Sequence, residues 1–323
     1  MTGVTQESRG EEERRRGEIR DWKAGVRSGG SLREIVDLDA GTNGWAAPPG
    51  SAFQVRGHNY FAKRVKAAAG ECVMKPLGVD WLRSHGKLDH VLARPDNRVR
   101  RALDLAQAQR EGLKSFVFAV NLQVPGKENY SAVFYYATDD PIAPGSLLYR
   151  FIHEDDGFRN SRFKLINRIV RGPWIVKATV GNHAACLLGK ALTCHYIRGP
   201  NYLEIDVDIG SSTVATYILH LALGYVSSVV VDMGFLVESQ AEEELPERLL
   251  GTVRIAQIEM ESAVFVDHEQ DHHQQQGLSC SNSNHPGTNA SAANSWQRRL
   301  GFSFRGHHST KNGKVAERDH CKA

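Results

Sequence analysis

Several signatures are missing from this chain of 323 residues, and each absence removes a class of protein. No N-terminal stretch reads as a signal peptide. The five cysteines, Cys72, Cys186, Cys194, Cys280 and Cys321, are odd in number and too widely spread for a disulfide scaffold, so a reducing, intracellular compartment is the expected home. A dominant sign of charge is also lacking: 40 Lys and Arg face 37 Asp and Glu, a formal net charge of +3, and no nucleic-acid partner is expected. There is no internal repeat. Gly189-Lys190 lacks both the upstream glycine and the following Ser or Thr of a phosphate loop, and no Gly-x-Ser-x-Gly elbow is present. His183, Cys186, Cys194 and His195 match no zinc spacing and read as ordinary core residues, so no cofactor and no catalytic residue is assigned.

What is present divides the chain in three. Residues 1–44 form a mostly disordered charged arm, whose run Glu11-Glu12-Glu13-Arg14-Arg15-Arg16 reads as solvated. Residues 267–323 form a disordered tail rich in His, Gln, Asn and Ser, too polar to close a core. Between them, residues 45–266 read as one domain, punctuated by Pro/Gly turns at the intervals of an antiparallel sheet. In residues 116–124, Phe116, Phe118, Val120, Leu122 and Val124 alternate with polar Asn121 and Gln123, which predicts a half-buried strand paired across Pro125-Gly126 with residues 130–137. Residues 147–152, 163–170, 174–180, 191–197 and 202–209 continue as expected strands, and apolar residues at helical spacing predict a helix over 98–113.

One apolar stretch, residues 214–237, comes close to the roughly 20 residues of a membrane span. His220, Gly224, Ser227, Ser228, Asp232 and Gly234 argue against spanning, since Asp at mid-span costs about 2.5 to 3.5 kcal/mol. The expectation is instead a long apolar helix packed on the sheet, capped by Asp208, Ser211 or Ser212. The fold class is therefore α+β: a curved antiparallel sheet with a long apolar helix packed on it, the layout, by analogy, of helix-grip, START-like folds.

Two constellations bear on chemistry. Glu204, Asp206 and Asp208 share one strand face by period-two geometry, and could bind a divalent cation for hydrolysis. The preferred alternative pairs them with Lys164, Arg168 or Lys177 on neighbouring strands. The second is an internal lipid cavity, in which Arg56, Lys164, Lys177, Lys190 and Arg198 meet an anionic headgroup while Ile218, Leu221, Ala222 and Tyr225 face the chain. Trp174, following Gly172-Pro173, is expected at the start of a buried strand face, or as a ligand or membrane contact if exposed.

Ordered blocks along the domain add a resemblance. Gly57-His58-Asn59-Tyr60, Gly78-Val79-Asp80-Trp81, Asn121 to Gly126, Arg159 to Lys164, Gly172-Pro173-Trp174, Asn201 to Asp208 and Glu244 to Arg248 together resemble the C-terminal domain of plant enhanced disease resistance proteins, from about Trp45 to Val264. Larger members carry pleckstrin-homology and START domains upstream, absent here, and negatively regulate defence-related cell death at membranes. The resemblance implies a non-enzymatic plant regulatory protein, lipid- or membrane-responsive, cytoplasmic and peripheral at membranes, with a lipid surface or other proteins as partners. A metal-dependent hydrolase and a protein-interaction module are the alternatives.

Overall fold

A computed structural model describes residues 22–37, 42–109, 114–181 and 183–266, apart from the side chain of His183. Along the chain run α1 (Trp22–Ser28), β1 (Arg33–Glu34), β2 (Gly44–Ala46), β3 (Gln54–Arg56), α2 (Tyr60–Lys63), β4 (Lys66–Ala68) and β5 (Lys75–Ser84). Next come α3 (Arg98–Ala108), β6 (Phe116–Val124), β7 (Asn129–Thr138), α4 (Leu147–His153), α5 (Asp156–Arg162) and β8 (Phe163–Arg171). The remainder is α6 (Trp174–Val180), β9 (His183–Leu187), α7 (Leu188–Ala191), β10 (Thr193–Arg198), β11 (Tyr202–Asp208), α8 (Thr213–Leu223), β12 (Val230–Val237), β13 (Leu249–Ala256) and β14 (Val264–Phe265).

The strands build two open six-stranded sheets, β1-β2-β13-β12-β8-β9 and β10-β11-β6-β7-β5-β14, with β3 and β4 as a separate hairpin. Most pairings are antiparallel, while β1 with β2, β6 with β11 and β5 with β14 run parallel. The two sheets face one another across the main core, where Phe118, Phe134 and Tyr136 of one meet Phe163, Phe235 and Val253 of the other. Phe163 and Phe235 stack at 6.1 Å between ring centroids, and Phe118 meets Phe163 edge-on at 6.5 Å, arrangements that aromatic quadrupoles favour. The α+β expectation holds, with a second sheet occupying the place the helix-grip analogy gives to a long helix.

The reverse face of the second sheet is buried too. Val26 of α1, Val99 and Leu103 of α3 and the 3-10 turn Val91–Ala93 pack on Val117, Ala119, Val133 and Tyr135. Asn97 caps α3, accepting from the Arg100 N–H at 2.9 Å and donating to the Tyr135 hydroxyl at 3.0 Å. Asn121 and Gln123, expected on a solvent face, are buried here because this cover lies over them. Residues 22–37 are likewise no unpacked arm: Val26, Leu32 and Ile35 are buried, and β1 pairs with β2. The earlier part of the expected arm, residues 1–21, and the expected tail, residues 267–323, lie outside the described residues.

Three local expectations are corrected. Residues 147–152 and 174–180 form helices, because Ser146 caps α4 by accepting the Tyr149 N–H at 3.2 Å and Pro173 opens α6, signals that outweigh the aromatic content of the first and the β-branched content of the second. The apolar stretch is not one long helix. It divides into α8, which is 11 residues and stops at Gly224, and β12, which runs between β8 and β13 in the centre of its sheet.

Candidate functional site

The acidic strand supports neither reading offered by its spacing. Glu204 and Asp206 lie on the reverse face of the second sheet, essentially without solvent exposure, and bind the main chain of the segment that covers them. The Val91 and Leu92 amides donate to Glu204 at 2.6 and 2.9 Å; the His90 amide and Asn121 Nδ2 donate to Asp206, both at 2.9 Å. Asp208 pairs with Lys87 at 2.5 Å. These carboxylates act as an anchor for residues 87–92, satisfying amides that the sheet cannot reach. Burial, reinforced by the neighbouring Asp206, holds Glu204 well above the usual carboxylate range, and burial lifts Asp206 as well. Among the described residues no group of three His, Cys, Asp or Glu side chains is placed to hold a metal.

The basic residues have other partners. Lys164 is buried between Glu247 at 3.0 Å and Glu238 at 3.1 Å, and Arg56 joins the same cluster through Glu238 at 3.0 Å. Arg168 and Arg254 hold the buried Asp232 at 2.5 and 2.6 Å across adjacent strands. Of the residues expected around a lipid cavity, Arg56 and Lys164 come together; Lys177 lies on α6, Lys190 on α7 and Arg198 at the end of β10. Ile218, Leu221 and Ala222 sit on α8 with Tyr225 just beyond it. Between the two sheets, aromatic rings pack against one another.

The most unusual surface was not anticipated as such. Helix α8, with the sequence TVATYILHLAL, is apolar at most positions, yet none of its residues is fully buried: Thr213, Tyr217 and His220 are exposed and the aliphatic side chains are half-buried. Tyr217 is 68% exposed, and Trp174, at the start of the neighbouring α6, is 78% exposed, so the expected burial of Trp174 is corrected. Pro173 directs the chain into a helix at that point, which carries Trp174 away from the strand face assumed for it. The two stretches that carry this surface have no acid: between Asp156 and Glu204 stand eight Lys or Arg and no Asp or Glu, and no Asp or Glu stands between Asp208 and Asp232. A sequence signal was available, since an apolar helix with apolar residues all round leaves one face in excess after packing.

Two face-packed sheets with buried ion clusters and one acid-free apolar face define an α+β domain whose ionic groups serve the fold. The family model described as Protein ENHANCED DISEASE RESISTANCE 2, C-terminal, matches residues 45–259, and the chain belongs to that family. It is 47% identical over 243 residues to Protein ENHANCED DISEASE RESISTANCE 2-like of Arabidopsis thaliana, an alignment covering 75% of this chain and 32% of that protein. The chain thus spans about a third of that relative's length. No solved structure matches it. The resemblance carried by the ordered blocks is therefore correct.

Proposed function

We propose that this domain regulates plant defence from the surface of a membrane, docking peripherally through α6 and α8. The observation that carries the reading is α8, an apolar helix that is only half-buried and exposes Tyr217 beside an exposed Trp174. Water is a poor permanent neighbour for such a face: each large side chain fully withdrawn from it gains about 1.5 to 3 kcal/mol. Trp and Tyr suit the interface between headgroups and acyl chains, having apolar rings and a polar edge. At 11 residues, α8 is about 16 Å long, half the hydrocarbon thickness, and no described helix is long and apolar enough to cross a membrane. The geometry fits a helix lying in the interface. The two acid-free stretches that carry α6 and α8 support the same reading, since the cytoplasmic leaflet is negatively charged and repels Asp and Glu.

Sedimentation of the full chain with phosphatidylcholine vesicles, with and without phosphatidylserine, tests the proposal. The expected result is association that phosphatidylserine strengthens and that the double variant Trp174→Ala, Tyr217→Ala loses. Both side chains are exposed, so the variant folds, and binding equal to wild type would overturn the proposal.

A further inference from the structure

A cavity of about 530 Å³ opens at one end of the sandwich, well away from the carboxylate anchor, where the β7–α4 connection meets the β12–β13 connection. Its size falls within the range of roughly 300 to 1,000 Å³ in which proteins enclose small ligands. Its floor is apolar: Val237 and Leu250 belong to the main core, and Val73, Ile142, Leu147 and Leu148 pack against it. Here the core reaches the surface without a covering layer.

The rim carries charge of both signs. Arg150 is engaged by Glu244 at 3.2 Å and Glu154 at 3.5 Å, and Glu244 also binds Arg162 at 2.7 Å, so these groups neutralise one another. Three others remain. Among the described residues, the guanidinium of Arg248 and the carboxylates of Asp140 and Glu243 make no ion pair, and all three side chains are exposed at the cavity. An apolar ligand with a single negative charge satisfies Arg248 but sits beside two free carboxylates, and one with a single positive charge meets the reverse conflict.

We infer that this cavity binds a small zwitterionic amphiphile: an apolar body on the leucine-lined floor, an anionic group at Arg248 and a cationic group at Asp140 and Glu243. Two sources share that chemistry, a single-chain phosphocholine and an apolar amino acid. The site is separate from α6 and α8 and stands whether or not the membrane proposal does.

Calorimetric titration of the full chain tests the inference with decylphosphocholine, decanoate and decyltrimethylammonium, each below its micellar concentration, and with phenylalanine. One zwitterion binds per chain, at least about tenfold more tightly than a probe of single charge with the same apolar body. Ala143→Trp, at an exposed position on the cavity wall, removes that binding, while the Trp174→Ala, Tyr217→Ala variant retains it. Arg248→Ala erases the preference over decyltrimethylammonium, and Asp140→Asn with Glu243→Gln erases the preference over decanoate. Binding of decylphosphocholine identifies a lipid source and binding of phenylalanine an amino-acid source. The inference is overturned if neither zwitterion binds, if all three decyl probes bind equally, or if Ala143→Trp changes nothing.

Discussion

The two halves of the apolar stretch are close in composition and opposite in fate. β12 is the more central: Phe235 and Leu236 are wholly buried, and Asp232 within it is buried too, held by two arginines. α8, without any formal charge, stays at the surface. Hydrophobicity therefore did not decide which half entered the core. Pairing did: β12 has strands on both sides to satisfy its backbone, and Asp232 has cross-strand partners, whereas α8 satisfies its own amides and needs nothing from the sheet.

The largest effects are expected where this contrast is broken in the buried half. Phe235→Ala leaves a cavity between the stacked ring of Phe163 and the tilted ring of Phe134 and is expected to cost about 3 to 5 kcal/mol in urea unfolding. Asp232→Ala is expected to cost a similar amount, about 3 to 5 kcal/mol, because it leaves Arg168 and Arg254 facing one another without their shared anion. Loss of less than about 1 kcal/mol in either variant would mean that β12 is not the centre of its sheet.

A smaller loss tests the N-terminal contribution. A chain beginning at Gly44 lacks the buried Val26, Leu32 and Ile35 and is expected to lose more than about 2 kcal/mol, read as a fall in melting temperature. An unchanged melting temperature would restore the solvated-arm reading for residues 22–37.

The carboxylate anchor predicts a pH dependence of definite sign. Glu204 and Asp206 have folded-state pKa values above their unfolded ones, so their contribution is complete below the ordinary carboxylate range and fades as pH rises through the raised values. Wild type is therefore expected to lose stability from about pH 5 upward relative to Glu204→Gln, whose neutral amide has no proton to lose. Parallel stability curves for the two proteins between acid and neutral pH would show that the pair does not titrate this way. The smallest thermodynamic effect belongs to the exposed half: Trp174→Ala and Tyr217→Ala are each expected within about 0.5 kcal/mol of wild type in chemical unfolding, while abolishing vesicle association in combination.

Alternation in residues 116–124 and the Pro125-Gly126 turn were enough to place β6 and β7 as a hairpin. Period two also put Glu204 and Asp206 correctly on one face of β11. Their partners were not readable, because the amides of His90, Val91 and Leu92 lie more than a hundred residues away and main-chain donors have no sequence signature. Arg254, 22 residues from Asp232, and Glu247, 83 residues from Lys164, were hidden in the same way, because strand pairing rather than local spacing brings them together. Short apolar segments expected as strands are helices where a cap or a proline overrules them, the aromatic-rich α4 behind Ser146 and the β-branched α6 behind Pro173.

By itself the sequence determined the α+β class, the family, the main hairpin and the presence of an apolar stretch ill-suited to spanning a membrane. These follow from local periodicity, turn chemistry and ordered motifs, all of which are written in neighbouring residues. The tertiary structure decided that a second sheet closes the core, that the acidic strand is an anchor for backbone amides, and that half of the apolar stretch lies outside. Each depends on which groups meet across long separations in the chain, where burial turns a polar side chain from a solvated ion into a structural partner and leaves an apolar helix only half-covered once the core is full.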